Sequence, residues 1–149
     1  MAIFRCSGCG AMNRVADDRT SERPICGGCK ALLDATGAPQ EVSGDAFERA
    51  IAGSPVPVLV DFWAPWCGPC RSAAPVVADV ARRNAGRMLV LKVNVDEDNA
   101  AANRYRVQGI PAFVLFQNGR EVARRAGLAS RSDLEAWAAR STGGLGVSA

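Results

Sequence analysis

Six cysteines in this chain of 149 residues form three Cys-x-x-Cys pairs, and these pairs are its main candidates for chemistry. Cys6–Cys9 and Cys26–Cys29 lie near the N-terminus, whereas Cys67–Cys70 lies near the middle of the chain. A Cys-x-x-Cys pair can be half of a metal site, a dithiol that exchanges electrons, or two inert buried thiols. The residues around each pair distinguish these possibilities, and they differ between the outer pairs and the central one.

The four N-terminal cysteines have the spacing of a two-knuckle metal site, because sixteen residues separate Cys9 from Cys26. Glycines within and beside the pairs allow the backbone to turn tightly, so that four thiolates can meet at one point. Four thiolates suit a closed tetrahedral site for structural zinc, and iron in the same cage is the alternative. Metal-free thiols or two redox pairs agree less well with this spacing. The sequence therefore predicts a zinc site with the ligands Cys6, Cys9, Cys26 and Cys29.

The small size of the N-terminal segment also favours a metal. A module of residues 1–33 is shorter than the roughly 40 residues below which a metal or disulfides are usually needed. Metal binding would then supply its folding energy. Its few large apolar residues are Ile3, Phe4, Val15, Ile25, Leu32 and Leu33.

The central pair lies between a predicted buried strand, Val56–Phe62, and a predicted helix, Cys67–Asn84. Cys67 is therefore expected at the helix N-terminus, where free N–H groups and the helix dipole favour a thiolate. Pro69 suits the first turn, because the N–H that it lacks would have no helical partner there. Cys67 and Cys70 then lie on one side of the helix, close enough to form a disulfide. With no second pair nearby to complete a metal site, the central pair is predicted to exchange electrons.

The composition excludes several classes of active site and partner. The chain has no histidine, which excludes Cys–His and Ser–His catalysis and metal sites with imidazole ligands. A net charge of +3 without a basic face gives no sign of nucleic-acid binding. No apolar run approaches the roughly 18 residues of a membrane span, and the N-terminus has no signal-peptide pattern. We therefore expect a cytoplasmic protein with no membrane and no nucleic-acid partner, in which thiols remain reduced.

Strand-like and helix-like segments alternate after the N-terminal module and would position the central pair. A β-α-β first half followed by a hairpin and a helix predicts an α/β fold, with a mixed central sheet and helices on both faces. Asn118–Gly119 is a strong hairpin signal between the last two strands. The predicted strands are Val56–Phe62, Met88–Val95, Ala112–Phe116 and Glu121–Ala126, and the predicted helices are Asp45–Ala52, Cys67–Asn84, Asn99–Tyr105 and Ser130–Arg140.

The segment VDFWAPWCGPC, together with KVNVDED, GIPAF and the NGR and AG that follow, resembles thioredoxin over about residues 41–141. With the four-cysteine module in front, the chain is similar to the zinc-ribbon class of bacterial thioredoxins. The resemblance implies a thioredoxin fold preceded by a small zinc-ribbon module. The domains expected are a zinc ribbon at 1–33, a linker at 34–40, a thioredoxin domain at 41–141 and a flexible tail at 142–149. The composition of residues 37–44 also suits a linker.

The same resemblance implies a role for each residue near the central pair. Cys67 would be the exposed nucleophile, and Cys70 the buried resolving thiol with which it forms the redox disulfide. Asp61 would lie beneath the pair and accept the Cys70 proton through water, with Lys92 as its charged neighbour. A carboxylate on an apolar strand should have a raised pKa, as a base for thiol chemistry requires. The alternative for Asp61 is an acid at a strand end that reaches solvent.

A surface for substrates is also implied by the resemblance. Trp66 would be an exposed platform beside the nucleophile, whereas Trp63 is expected in the core. Gly68 and Pro69 complete the active-site motif between the cysteines. Ile110–Pro111 would be a cis peptide bond facing them. The expected substrate-binding residues are Trp66, Gly109, Ile110, Pro111 and Gly127.

The function implied is that of a protein-disulfide reductase working through a mixed disulfide with disulfide-containing partner proteins. The resemblance implies regeneration by an NADPH-dependent thioredoxin reductase, so the chain needs no bound nucleotide, and no Gly-x-Gly-x-x-Gly motif follows a strand. We expect a monomer. One alternative is a zinc module that senses oxidation or acts as a docking or chaperone-like surface, with secondary reductase activity. Another is an oxidant or isomerase of the same fold, against which Gly-Pro between the cysteines argues.

Overall fold

Residues 1–143 are described by this computed structural model, and their strands form two separate sheets. The smaller sheet is an antiparallel hairpin of β1 (Ala2–Arg5) and β2 (Met12–Val15). A 3-10 turn at Asp17–Arg19 follows, and an isolated bridge pairs Ile25 with Leu32. Both Cys-x-x-Cys turns of the N-terminal module therefore follow short extended segments.

The larger sheet has five strands in the order β3-β5-β4-β6-β7. The strands β3 and β4 run parallel to β5, whereas β6 is antiparallel to β4 and to β7. This arrangement confirms the predicted mixed sheet. The elements are β3 (Gln40–Glu41), α1 (Gly44–Gly53), β4 (Val58–Trp63), α2 (Gly68–Arg83), β5 (Leu89–Asn94), α3 (Asn99–Arg104), β6 (Ala112–Gln117), β7 (Arg120–Ala126) and α4 (Arg131–Thr142).

Two hydrophobic cores cover the two faces of this sheet, because side chains alternate along each strand. On one face, Phe62 packs with Phe47 of α1 and with other apolar residues of the first core. On the other face, Leu59 packs with residues of α2 and α4, including Val77 and Leu134. Asp61 lies two residues after Leu59 and therefore shares the face that α2 covers. The alternation thus directs a carboxylate toward the helix that begins at the central cysteines.

Each of the eight predicted elements is present, with ends within two residues of the predicted ones. The structure also contains a strand that composition did not indicate, since Gln40–Glu41 lies inside residues 37–44. Helix α4 continues to Thr142, the first residue of the predicted tail, and residues 144–149 lie outside the described part of the chain. Among residues 1–143, no helix combines the length and the apolar character that crossing a membrane requires.

The N-terminal module packs directly on the larger domain. The N–H of Ile3 donates to the carbonyl oxygen of Gly86 at 2.9 Å, and Ala85 packs on the module's small core. Gly86 has φ +81°, and a Cβ there would lie 2.6 Å from the Cβ of Ala2. This close approach therefore requires glycine.

Two of the few large apolar residues of the module face solvent. Ile25 is 60% exposed and Leu32 is 56% exposed. Because side chains alternate in extended segments, the inward direction of Cys26 and Leu33 turns Ile25 and Leu32 outward. The interior of the module is therefore a small cluster of Ala2, Phe4, Cys6, Cys26 and Leu33.

Candidate active site and metal centre

Cys67 and Cys70 form a disulfide at the start of α2, as the sequence predicted. Their Cα atoms are 5.2 Å apart. Cys67 is the N-cap of the helix, and its Sγ accepts a hydrogen bond from the Cys70 N–H at 3.2 Å. Pro69 occupies the first turn. A free N–H at a helix N-terminus is a good partner for a negatively charged sulfur, so this position favours the thiolate of Cys67 after reduction.

The expectation of an exposed Cys67 is wrong for the disulfide form, in which Cys67 is 5% exposed and Cys70 is 3% exposed. Both sulfurs pack in a small cluster with Ala64, against the partly buried Trp63 and Ile110. The Sγ of Cys67 lies 3.7 Å from the carbonyl oxygen of Ile110. The loop before β6 therefore covers the disulfide.

The Ile110–Pro111 bond in this loop is cis, as the resemblance implied. The carbonyl oxygen of Pro111 accepts a hydrogen bond from the N–H of Gly127 at 2.9 Å, which ties the loop to the end of β7. This hydrogen bond brings three of the predicted substrate-binding residues together near Cys67: Ile110, Pro111 and Gly127. Gly109 precedes them in the same loop.

Trp66 lies directly before Cys67 and is 67% exposed, which confirms its predicted place on the surface. Its indole Nε1 donates to both carboxylate oxygens of Asp96, at 3.0 and 3.2 Å. Arg71 donates to the carbonyl oxygen of Pro65 at 3.0 Å. Sequence reasoning missed Asp96 and Arg71 as supports of this loop, because only the folded chain brings Asp96 to Trp66.

Asp61 is a buried carboxylate, 1% exposed, and not an acid that reaches solvent. Among the described residues, its Oδ1 has no hydrogen-bond partner. Burial raises the pKa of Asp61 to about 7, while the charge of Lys92 opposes this rise and that of Glu41 adds to it. Asp61 therefore changes its protonation near neutral pH, as a proton acceptor for a thiol must.

Lys92 is the register partner of both Asp61 on β4 and Glu41 on β3. Its Nζ lies 4.4 Å from the centroid of the Trp63 ring, and the ion pairs of the described residues do not include a direct Lys92–Asp61 contact. Lys92 therefore influences Asp61 through the field of its charge. Trp63, expected in the core, is only partly buried, and the Lys92 ammonium lies over its ring. Sequence reasoning missed Glu41, whose position depends on the register of β3.

The four remaining cysteines converge on one point, with all Sγ atoms within 4.8 Å of one another. Sγ–Sγ distances are 3.6 Å for Cys6–Cys29 and for Cys9–Cys26. A tetrahedron with Zn–S bonds of about 2.3 Å has edges of about 3.8 Å. The donor set and its dimensions therefore fit a tetrathiolate metal site.

Hydrogen bonds to Cys26 prepare this site for a metal. Backbone N–H groups of Cys29 and Gly28 and the side-chain amide of Asn13 lower the pKa of the Cys26 thiol to about 6, although burial opposes them. The Asn13 Nδ2 lies 3.5 Å from the Cys26 sulfur, and its Oδ1 accepts from the Gly27 N–H at 2.9 Å. A deprotonated sulfur at neutral pH is the form that binds metal.

Comparison with known proteins gives consistent matches for both parts of the chain. Residues 38–140 match a family model described as Thioredoxin, and residues 5–31 match a zinc-ribbon model described as Thioredoxin 2, N-terminal. Thioredoxin C-3 of Corynebacterium nephridii is 37% identical over 136 residues, which are 91% of this chain and 92% of that relative. Thioredoxin 1 of Nostoc sp. is 46% identical over 57% of this chain and 79% of its own length. A solved mutant thioredoxin from Halobacterium salinarum NRC-1 is similar with a TM-score of 0.66 and 34% identity, covering 73% of this chain and 95% of the other.

Proposed function

This chain belongs to the thioredoxin family, and from that premise we propose how its residues perform the reaction. It is a dithiol–disulfide oxidoreductase that reduces the disulfides of partner proteins. The observation on which the assignment depends is the Cys67–Cys70 disulfide at the N-terminus of α2. A reductase of this type is in this oxidised form after it has reduced a partner disulfide.

Cys67 is the proposed nucleophile. In the reduced protein its thiolate attacks one sulfur of a partner disulfide, forming a mixed disulfide while the other partner sulfur leaves as a thiolate. The Cys70 thiolate then attacks the Sγ of Cys67, and the second partner sulfur leaves. Two electrons pass to the partner, and the Cys67–Cys70 disulfide forms. The position of Cys67 at the helix N-cap supports this order of attack.

Asp61 is the proposed acceptor of the proton that Cys70 loses before the second attack. Its burial, its Oδ1 without a partner among the described residues, and its pKa of about 7 support this role. We propose that a water molecule relays the proton, because sites with an unpartnered buried oxygen commonly hold one. Lys92 stabilises the charged form of Asp61 and so limits how far its pKa rises.

The loop around the disulfide is the proposed docking surface for the partner chain. Trp66 offers an exposed aromatic face beside Cys67, and Ile110, which precedes Pro111, packs against the sulfurs. Backbone groups at Gly109 and the carbonyl oxygen of Gly127, whose N–H donates to Pro111, are proposed to pair with an extended substrate segment through main-chain hydrogen bonds. Gly68 and Pro69 form the first turn of α2 between the two cysteines.

We propose zinc as the ion of the four-cysteine site, held by Cys6, Cys9, Cys26 and Cys29. The convergence of the four sulfurs supports a metal, and the zinc-ribbon family match supports zinc over iron. Bound zinc would cross-link both knuckles and supply folding energy, with no open position for catalysis. Metal analysis distinguishes the two ions, since an iron tetrathiolate is coloured and a zinc one is not.

The proposed electron donor is an NADPH-dependent thioredoxin reductase, and we propose a monomer that works in the reducing cytoplasm. Thioredoxins act on disulfide proteins and are reduced by thioredoxin reductase. The test is reduction of insulin by the purified protein with NADPH and a bacterial thioredoxin reductase. We expect catalytic NADPH consumption that requires both proteins, and its absence would contradict the proposed donor. Insulin reduction with dithiothreitol as donor tests the activity of the chain independently.

A further inference from the structure

A buried guanidinium lies between the four-cysteine site and the larger sheet. Arg5 ends β1, directly precedes Cys6, and is only 8% exposed. Its Nη1 donates to the Oε1 of Gln40 at 2.8 Å, and the Nε2 of Gln40 donates back to the carbonyl oxygen of Arg5 at 2.9 Å. Gln40 is the first residue of β3, so the Arg5–Gln40 pair connects the N-terminal hairpin to an edge strand of the redox domain.

The charge of Arg5 needs a partner, because a buried cation without an opposite charge is strongly unfavourable. In the described part of the chain, the ion pairs do not include Arg5. Arg5 directly precedes the metal-ligand candidate Cys6, so its side chain lies at the first Cys-x-x-Cys turn. Its Nη2 lies 3.5 Å from the position that a Cβ of Gly10 would take, at the turn that closes the first knuckle. Metal-bound thiolates at the four-cysteine site would therefore supply the countercharge.

We propose that Arg5 is a positioning residue that couples the metal centre to the edge strand of the redox domain. Four thiolates around a divalent ion leave two uncompensated negative charges, which the guanidinium offsets. The same guanidinium holds the side chain of Gln40. This inference rests on the proposed metal at the four cysteines. It assigns two roles to Arg5, which helps to retain the metal and attaches β3 to the N-terminal module.

The attached strand leads directly to the residues beneath the disulfide. Glu41 follows Gln40 and is the register partner of Lys92, which is in turn the partner of Asp61. The N–H of Val42 donates to the carbonyl oxygen of Lys92 at 3.0 Å. Because β3 has only two residues, the Arg5–Gln40 pair adds a second attachment beside its main-chain pairing with β5. Loosening this pair should therefore free the segment that places Glu41 near Asp61.

The first test measures zinc retention, by transfer of zinc from the full-length protein to a chromophoric chelator. Arg5→Met keeps the approximate length of the side chain but removes its charge, and should weaken zinc binding by about 10- to 100-fold, the usual effect of losing a partner of the metal ligands. Arg5→Lys keeps the charge and should lose less. Arg19→Met is the matched control, because Arg19 pairs with Glu22 on the exposed surface of the same module.

The second test measures amide hydrogen exchange at Val42 in the zinc-loaded protein. Gln40→Leu leaves Arg5 beside the thiolates, so zinc should be retained, whereas exchange at Val42 should increase by about tenfold as the strand loses its side-chain hydrogen bonds. Zinc binding by Arg5→Met as tight as that of the wild type would overturn the coupling, and so would unchanged exchange in Gln40→Leu. A wild-type protein that fails to bind zinc would instead overturn the proposed metal site.

Discussion

The same motif occurs in this chain as a redox centre and as a metal site, and the two differ in what surrounds the sulfurs. Cys67 and Cys70 begin a helix of sixteen residues and meet no other cysteine. Each N-terminal pair instead lies in a glycine-containing turn, and the two pairs meet within 4.8 Å. The difference shows that the element after a Cys-x-x-Cys pair, and the number of sulfurs at one point, determine its function.

The buried charge beside each centre is of opposite sign. Asp61, a buried acid, shares the sheet face that the redox helix covers, whereas Arg5, a buried base, lies beside the four-cysteine site. A dithiol that cycles between reduced and oxidised forms releases protons and benefits from a nearby acceptor. A set of permanent thiolates benefits from a cation that offsets its charge. Each buried ionisable residue thus fits the chemistry of the sulfurs near it.

The largest expected effect is the loss of insulin reduction when the nucleophile of the redox centre is replaced. Cys67→Ser removes the nucleophile and should reduce insulin reduction by at least about a thousandfold, the scale on which loss of a catalytic nucleophile acts. Cys70→Ser keeps the nucleophile but cannot resolve the intermediate, so it should accumulate mixed disulfides visible on non-reducing gels. Normal insulin reduction by Cys67→Ser would show that a different cysteine attacks the partner.

A ligand substitution in the N-terminal module should produce the opposite pattern. Cys26→Ser removes one of four thiolates and should abolish tight zinc binding, which supplies on the order of 10 kcal/mol in structural zinc sites. We expect residues 1–33 to lose their dispersed NMR signals while insulin reduction largely persists. If the module stayed folded without metal, the N-terminal pairs would not need a metal to fold. The proposed distinction between metal-binding pairs and a redox pair would then be contradicted.

The sequence was sufficient to predict features that depend on local pattern. The apolar run around Asp61 predicted a carboxylate with a raised pKa, and the resemblance implied its place beneath the redox pair; in the structure Asp61 is buried. The position of Cys67 at the helix start followed from a strand pattern ending before it and a helical pattern beginning at it. Such features require only the period of a strand or helix and the chemistry of a helix N-terminus.

Features that depend on long-range contacts were not predictable in this way. Ile110 covers Cys67 although the two residues are 43 positions apart in the chain, and the Arg5–Gln40 pair connects residues 35 positions apart. Strand β3 is too short to have a recognisable period, so the place of Glu41 beside Lys92 was also missed. The exposure of Ile25 follows from the inward direction of Cys26, which only the geometry of the cluster fixes.

A third substitution tests the acid beneath the redox pair. Asp61→Asn removes the proposed proton acceptor and should slow resolution of the mixed disulfide by up to about 100-fold at neutral pH, the lower end of the range for general base catalysis. In the wild type this rate should fall as the pH drops below about 7, the pKa of Asp61. The variant should lack that dependence. Asp18→Asn, a substitution in the N-terminal module, is the matched control.

The same substitution should change the pH dependence of stability. Because the pKa of Asp61 is raised from 3.8 to about 7, the stability linked to its proton is complete below about pH 4 and is lost as the pH rises through 7. Asp61→Asn avoids this loss, so its free energy of unfolding at about pH 9 should exceed that of the wild type by up to about 4 kcal/mol. Urea unfolding of the disulfide form measures the difference, and equal stabilities would mean that Asp61 is solvated.

The smallest expected effect concerns how far the two centres influence each other. The reduction potential of Cys67–Cys70, measured by equilibration with dithiothreitol or glutathione, should lie near the roughly −270 mV of thioredoxin. Removal of zinc should shift it by less than about 30 mV, which corresponds to about 1.4 kcal/mol for two electrons. The reason is that the Arg5–Gln40 connection reaches Asp61 through β3 and the charge of Glu41, whose effect on the pKa of Asp61 is smaller than those of burial and Lys92.

A larger shift of the reduction potential would mean that the N-terminal module regulates the redox pair. That result would support the interpretation of the module as an oxidation sensor. In that case Gln40→Leu identifies the route. If the influence passes through Arg5 and Gln40, the variant should keep its zinc and yet show no dependence of the potential on zinc, because β3 is already released. If the dependence persists, the main-chain hydrogen bond between Ile3 and Gly86 is a second connection through which the module can act.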